Sequence, residues 1–385
     1  MGFSSLDDLT NQITSNGKYL RRDSAKLTSP VHTAGGWHAT MGLAGNPVAS
    51  TFPGTSLLWQ SCDENSGDGT NSIGIHTGGA PGGTATKHIL NVGASIVAAA
   101  GAPWQLKLVD LQGYYKLTGT DVTGTGSRVL INSNTFTASS SSGLLLTFTN
   151  DFASGTKVRF TTTTTLPTGL SLATDYWLIR VSATTARVAT SYANYVAGTA
   201  IAYTDAGTGT HTMTIQMPRY ASGVGCQAAF IVGTAPTAGG PTLSASDYTN
   251  SGGTSSRAFT GSPVMNAAAN AYAGRVIHSG NAAGNYGPFL PLASGDTGIA
   301  RVNSFTFSAG TAYTGSGVLA LAIMRPLLDI PVPVSGMWSE RDLVNQLPSL
   351  PQVQDGACLV WMLFGTGATT TASPITSAID FGWGG

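Results

Sequence analysis

Val318-Leu319-Ala320-Leu321-Ala322-Ile323-Met324 is apolar at seven consecutive positions. Strand side chains alternate between the two faces of a sheet, so such a run reads as a central strand covered on both sides. It is far shorter than the ~18 apolar residues of a membrane span, and no other stretch approaches that length. Cys358-Leu359-Val360-Trp361-Met362-Leu363-Phe364 has the same character and reads as the last strong strand. Working outward, shorter runs bounded by Gly and Pro have strand length: 56–60, 88–92, 95–98, 105–111, 227–232 and 300–307. Several alternate apolar with polar residues, as a sheet with one wet face does. Gln112-Gly113-Tyr114-Tyr115 reads as a strand end. The fold class is mainly β, an antiparallel β-sandwich or barrel.

Two short helices are expected near the ends of the chain. Leu6, Leu9 and Ile13 share one helical face, Ser5 suits the N-cap with Asp8 three residues on, and Gly17 suits the C-terminal stop. Trp338 to Gln346 reads as the second helix, with Ser339 as cap, Leu343 facing inward, and Pro348 and Pro351 ending it. The texture changes between residues 118 and 216, where Ser and Thr dominate and Thr161 to Thr165 stand in a row. Strand-length runs at 127–131, 144–148, 157–160, 176–180, 186–189 and 210–215 have the spacing of a small β-sandwich or barrel. Met217-Pro218-Arg219-Tyr220 then restores the earlier style. Residues 118–216 therefore read as an inserted β domain, and 1–117 and 217–385 as the two parts of its host.

Charge is scarce. Only 9% of the residues are charged, against roughly a quarter in a typical soluble domain, while 42% are hydrophobic and 50 of 385 are Gly. The 18 basic and 18 acidic residues cancel. No basic stripe offers itself to phosphates, which argues against direct nucleic-acid binding, and zero net charge favours association. The best candidate for chemistry is Asp63-Glu64-Asn65-Ser66-Gly67-Asp68-Gly69, whose oxygen ligands could suit Ca²⁺. Its twelfth position is Gly74 rather than Glu, so a polar turn is the preferred reading. His76-Thr77-Gly78-Gly79 could line a catalytic loop, with a hydrogen-bonded structural histidine as the plainer account. Cys62, Cys226 and Cys358 lack metal-ligand spacing and read as reduced thiols, Cys358 as a small buried hydrophobe in its apolar run. Trp177, beside Tyr176, could stack on a sugar or fill a core. No catalytic residues, cofactor or metal site is assigned.

Two sets of residues resemble structural proteins of tailed bacteriophages. The insert carries Asp151-Phe152-Ala153-Ser154-Gly155-Thr156-Lys157-Val158-Arg159-Phe160, Leu166-Pro167-Thr168-Gly169-Leu170, Thr174-Asp175-Tyr176-Trp177-Leu178-Ile179 and Arg187-Val188-Ala189-Thr190-Ser191. This is similar to a small β module of phage virion and tail proteins. The host resembles a phage head-protein family in Lys87-His88-Ile89-Leu90-Asn91, Asp110-Leu111-Gln112-Gly113-Tyr114-Tyr115, Arg219-Tyr220, Gly287-Pro288-Phe289-Leu290-Pro291-Leu292 and Asp355-Gly356-Ala357-Cys358-Leu359.

The resemblance implies a structural virion protein and no enzyme. The chain lacks the long spine helix of a tailed-phage lattice protein and the repeats of a fibre. What remains is a capsid cement or decoration protein on the capsid exterior, made in the host cytoplasm without a leader. Its expected partners are the major capsid protein and further copies of itself, as a trimer. Neither membrane nor nucleic acid is expected, and the insert's outward loops could touch glycans weakly. The alternative is a tail or head-fibre protein that binds host-surface carbohydrate. Interface candidates are Leu6, Leu9 and Ile13 on the first helix, and Phe381 and Trp383 on a tail expected to be exposed.

Overall fold

The computed structural model describes residues 3–27, 35–64, 73–79, 81, 85–97, 102–122, 126–139, 145–263, 272–277, 287–308, 317–345, 350–367 and 374–384. A nine-residue helix, α1 (Leu6–Thr14), opens the chain. It is followed by β1 (Tyr19–Lys26), β2 (Gly36–Ala39), β3 (Gly45–Asn46), β4 (Trp59–Ser61), β5 (Lys87–Ile96), β6 (Trp104–Thr118) and β7 (Gly126–Val129). Next come β8 (Ser133–Ser139), β9 (Leu145–Phe148), β10 (Lys157–Thr162), β11 (Asp175–Ser182), β12 (Thr185–Ala189), the short helix α2 (Tyr192–Val196) and β13 (His211–Ile215). The remaining strands are β14 (Gln227–Thr234), β15 (Leu243–Asn250), β16 (Val276–Ile277), β17 (Ile299–Phe307), β18 (Val318–Val332), β19 (Ser339–Asp342), β20 (Gln352–Val353), β21 (Leu359–Gly365) and β22 (Ile375–Trp383). All named ladders are antiparallel, and the chain is mainly β, as its sequence predicts.

The apolar run at 318–324 opens β18, the longest strand together with β6, with which it pairs from Val318↔Thr118 to Val332↔Trp104. These two form the middle of a sheet ordered β16-β14-β18-β6-β21-β2, with β4 added on β6. Alternation sorts β18 as the sequence requires. Leu319, Leu321 and Ile323 enter one core, shared with Phe230, Phe305 and Phe307, while Ala320, Ala322 and Met324 enter another, shared with Trp37, Met41 and Ile231. Lower down, Leu328, Ile330 and Val332 face a second sheet, β19-β5-β22-β1-β3 with β20 on β5. This two-sheet sandwich holds Ile89, Val92, Trp104, Trp361, Ile379 and Phe381. A third sheet, β15-β17-β7, covers the upper part of β18.

Strands β8 to β13 close into a six-stranded barrel ordered β10-β11-β12-β9-β8-β13. Closure removes edges from this Ser/Thr-rich segment. Its inward residues, among them Phe136, Phe160, Tyr176, Leu178 and Met213, belong to the same cluster as Leu58, Tyr115 and Phe305 outside it.

Four sequence expectations need correction. Trp338 to Gln346 is not a helix: Ser339–Asp342 is an edge strand paired with β5 from Ser339↔Ala94 to Asp342↔Asn91. The free edge of β5 outweighs local helical spacing, although Leu343 is buried as expected and Gln346 lies outside the described residues. The second α-helix among the described residues is α2, on the barrel. Second, the segment Phe381-Gly382-Trp383 is no exposed tail. It ends β22, which is held between β5 and β1. Gly382 is there for space, since a Cβ would fall 2.7 Å from the Leu90 side chain. Third, Gln112 to Tyr115 lies inside β6. Gly113 lets β4 cross, a Cβ there falling 2.4 Å from the Gln60 carbonyl oxygen. Fourth, 126–129, read as part of the insert, pairs with β17 from Val129↔Ser304 to Gly126↔Phe307, so the barrel starts at Ser133.

Candidate functional site

The first interface candidates divide. Ser5 caps α1, its hydroxyl accepting the Asp8 N–H at 3.0 Å, and the Asp8 carboxylate reaches back to the Ser4 N–H at 2.9 Å. The Ser4 N–H, and after it the Gln12 side-chain amide donating at 3.0 Å, hold the Asp8 carboxyl below the usual range. The helix presents Leu9 inward, where it is buried, while Ile13 is half-buried and Leu6 is 52% exposed. Phe381 is wholly buried and Trp383 half-buried within the chain's own sheet. Phe381 therefore has no surface to offer a partner.

Exposed apolar surface gathers at a different corner. Val97, Val334, Met337 and Trp338 are all between 45% and 61% exposed. The loop carrying three of them is tied to the end of β5 by the Gly336 N–H, which donates to the Ile96 carbonyl at 2.8 Å. The Trp338 ring lies over Gly93 of β5, where a Cβ would fall 2.3 Å from it. A glycine at 93 thus sets the height at which the indole sits. Sequence reading missed this corner because it placed Trp338 in a helix.

The chemical candidates resolve into hydrogen-bonded structure. Of the Asp63–Gly69 stretch, Asn65 to Gly69 lie outside the described residues. Glu64 is buried, and its Oε2 accepts from the Thr77 N–H at 2.9 Å, the Thr77 hydroxyl at 2.7 Å and the Gly79 N–H at 3.3 Å. Lys87 Nζ donates to the carbonyls of Thr77 and Gly79, both at 2.5 Å. Burial lowers the Lys87 pKa, with Glu64 opposing. The 76–79 loop is thus clamped between a carboxylate on its N–H groups and an ammonium on its carbonyls. His76 projects from it, Nδ1 accepting the Gly78 N–H at 2.9 Å. Trp177 is half-buried beneath Lys157 Nζ, 5.3 Å from the ring centroid, while Tyr176 is core. All three cysteines are free and buried, and burial raises the Cys226 thiol to about 12.

A buried ion pair was not foreseen. Arg219 donates from Nε and Nη2 to the two Asp110 oxygens at 2.9 and 2.8 Å. It also donates to the carbonyls of Cys62 and Gly356 at 2.9 Å each and of Leu111 at 2.6 Å. Asp110 Oδ1 further accepts the Cys358 N–H at 3.0 Å. Every guanidinium donor direction is used, which is what such a pair needs away from water. The pair fastens the chain where it leaves the barrel to the middle of β6 and the start of β21. A charged residue amid an uncharged sequence was the available signal.

No protein-family model matches the chain, and no curated protein matches it. Among solved structures, the infectious bursal disease virus Gx strain is similar at 8% identity, covering 94% of this chain and 81% of that one, with a TM-score of 0.16. The Gt strain gives 11% identity over 95% and 81%, also at 0.16, and the VP2 subviral particle of that virus 10% over 79% and 83%, at 0.12.

Proposed function

We propose that this chain is a structural virion subunit, a capsid cement or decoration protein that self-associates as a trimer on a shell of major capsid protein. The observation that carries this reading is where its few charges go. Asp110, Asp151, Asp175, Asp296 and Asp329 are each paired with Arg or Lys of the same chain. The net charge is 0, exposed carboxylates such as Asp151 and Asp329 are offset within the chain, and the corner of Val97, Val334, Met337 and Trp338 stays bare. A rigid β body with a neutral coat and an apolar corner suits repeated contacts in an assembly. The resemblance of 151–191 and of 110–115 to phage structural proteins supports the same reading.

The test is mass measurement by light scattering on the purified chain, with electron microscopy of the particle that carries it. The expected result is a trimer on the head exterior, reduced to monomer by M337S with W338S at unchanged melting temperature. A chain monomeric at every concentration and absent from heads would overturn the proposal. A second reading, glycan contact by the barrel, rests on a groove of about 390 Å³ lined by Thr135, Thr137, Thr147, Thr149, Thr210 and His211. Hits on a glycan array that disappear in T137V with T147V would favour it.

A further inference from the structure

One edge of β1 is largely uncovered. β22 pairs with it from Tyr19 to Lys26, whereas β3 on the other side reaches only Ala25 and Lys26. The Leu27 N–H donates to the Ala44 carbonyl on that second side. Backbone groups of alternate residues point the same way from a strand, so Asp23 and Arg21 turn their N–H and C=O groups to the open edge. No described residue bonds to them there. The edge borders a groove of about 450 Å³, with Arg21 to Ser24 on one wall and Asn46, Pro47 and Gly74 to His76 on the other.

The groove carries unused positive charge. Arg22 Nε donates to the His76 carbonyl at 3.1 Å, which fixes the guanidinium plane, and its Nη groups meet no acceptor among the described residues. Arg21 differs: Asp23 at 3.1 Å and Asp380 at 3.7 Å already face it. His76 is exposed, and because its Nδ1 takes the Gly78 N–H, the other ring nitrogen is left to donate outward. A strand edge supplies alternating donors and acceptors for a main chain, and a planar guanidinium beside it suits a carboxylate.

We infer that this groove takes an extended acidic peptide segment, added as a strand to the free edge of β1 with a carboxylate side chain on Arg22. The volume accommodates about three extended residues, which span roughly 10 Å. Recognition is divided between the backbone at Arg21 and Asp23 and the guanidinium of Arg22.

The test uses a fluorescent peptide, Thr-Val-Asp-Val-Thr, and its counterpart with Asn in place of Asp, titrated with the full chain by anisotropy. The Asp peptide is expected to bind at least fivefold more tightly, and Arg22→Gln to abolish that difference. Asp23→Pro deletes one edge N–H without touching the β22 ladder, and weakens both peptides at least fivefold relative to Asp23→Asn. In the unaltered chain, bound peptide slows hydrogen exchange at the amides of Arg21 and Asp23, a readout independent of whether the variants fold. Three results would each overturn the inference: no binding at millimolar peptide, displacement by an equal concentration of acetate, or slow exchange at both amides without peptide. None of them bears on whether the chain trimerises.

Discussion

At the scale of single residues, the scarce charges carry more than their number suggests. Arg219→Ala would strand the Asp110 carboxylate, which has no exposure, and release three carbonyl groups. Breaking one partner of a buried pair costs about 3–5 kcal/mol. Urea denaturation should show that loss for Arg219→Ala, and the double variant with Asp110→Ala should be no worse than the sum of the singles, because the two remove one shared interaction. A second carboxylate contributes stability that acid removes. Asp296 is held down at about 2, first by the Arg257 guanidinium donating at 2.9 Å, then by the Tyr248 hydroxyl, with Asn250 Nδ2 at 2.7 Å. An ordinary aspartate titrates near 3.9, so the folded form binds this proton less readily than the unfolded one. The stabilisation is present above about pH 4 and disappears as pH falls through about 2. Asp296→Asn should lower the melting temperature at neutral pH and flatten the decline between pH 4 and 2, measured by thermal denaturation across that range.

Elements were legible wherever alternation was clean. Strands β9 to β13 stand within a few residues of their sequence positions because each reads apolar-in and polar-out around a closed barrel. The apolar runs at 318–324 and 358–364 were legible for the opposite reason, being covered on both faces. What failed were segments whose local composition points one way and whose neighbours pull another. Ser339 to Asp342 is polar enough to suit an edge, but only the free side of β5 makes it a strand. The C-terminal segment reads as an exposed tail, yet Gly382 is where the packing against Leu90 leaves no room for a Cβ. The candidate site was less legible still. The corner of Val97, Val334, Met337 and Trp338 joins residues far apart in sequence through one hydrogen bond and one glycine. The strand reading of β22 makes a prediction at this scale. Deleting 379–385 removes the second half of β22 with its wholly buried Phe381, and opens the facing stretches of β5 and β1 to water. The truncated chain should fail to accumulate in soluble form. The milder Phe381→Ala should cost about 3–5 kcal/mol in chemical denaturation.

For the whole molecule, charge poverty becomes a statement about salt. Exposed ion pairs contribute little and are screened, with a Debye length of about 8 Å at physiological ionic strength. The net charge is 0, and Asp151 and Asp329 at the surface face Arg180 and Lys107. An interface built on the apolar corner of Val97, Val334, Met337 and Trp338 offers salt little charge to screen. Its driving force is removal of apolar area from water, which excluding salts strengthen slightly. Self-association through the corner of Val97, Val334, Met337 and Trp338 should therefore change less than threefold between 50 and 500 mM NaCl and tighten in ammonium sulfate, as sedimentation equilibrium would read it. An affinity that falls tenfold or more over that range would mean that charged groups dominate the contact, and would move the contact surface from this corner to one of the exposed ion pairs. The acidic-peptide groove beside β1 behaves oppositely. It rests on Arg22, so its binding should weaken steadily across the same salt series, and the two surfaces can be told apart in a single titration.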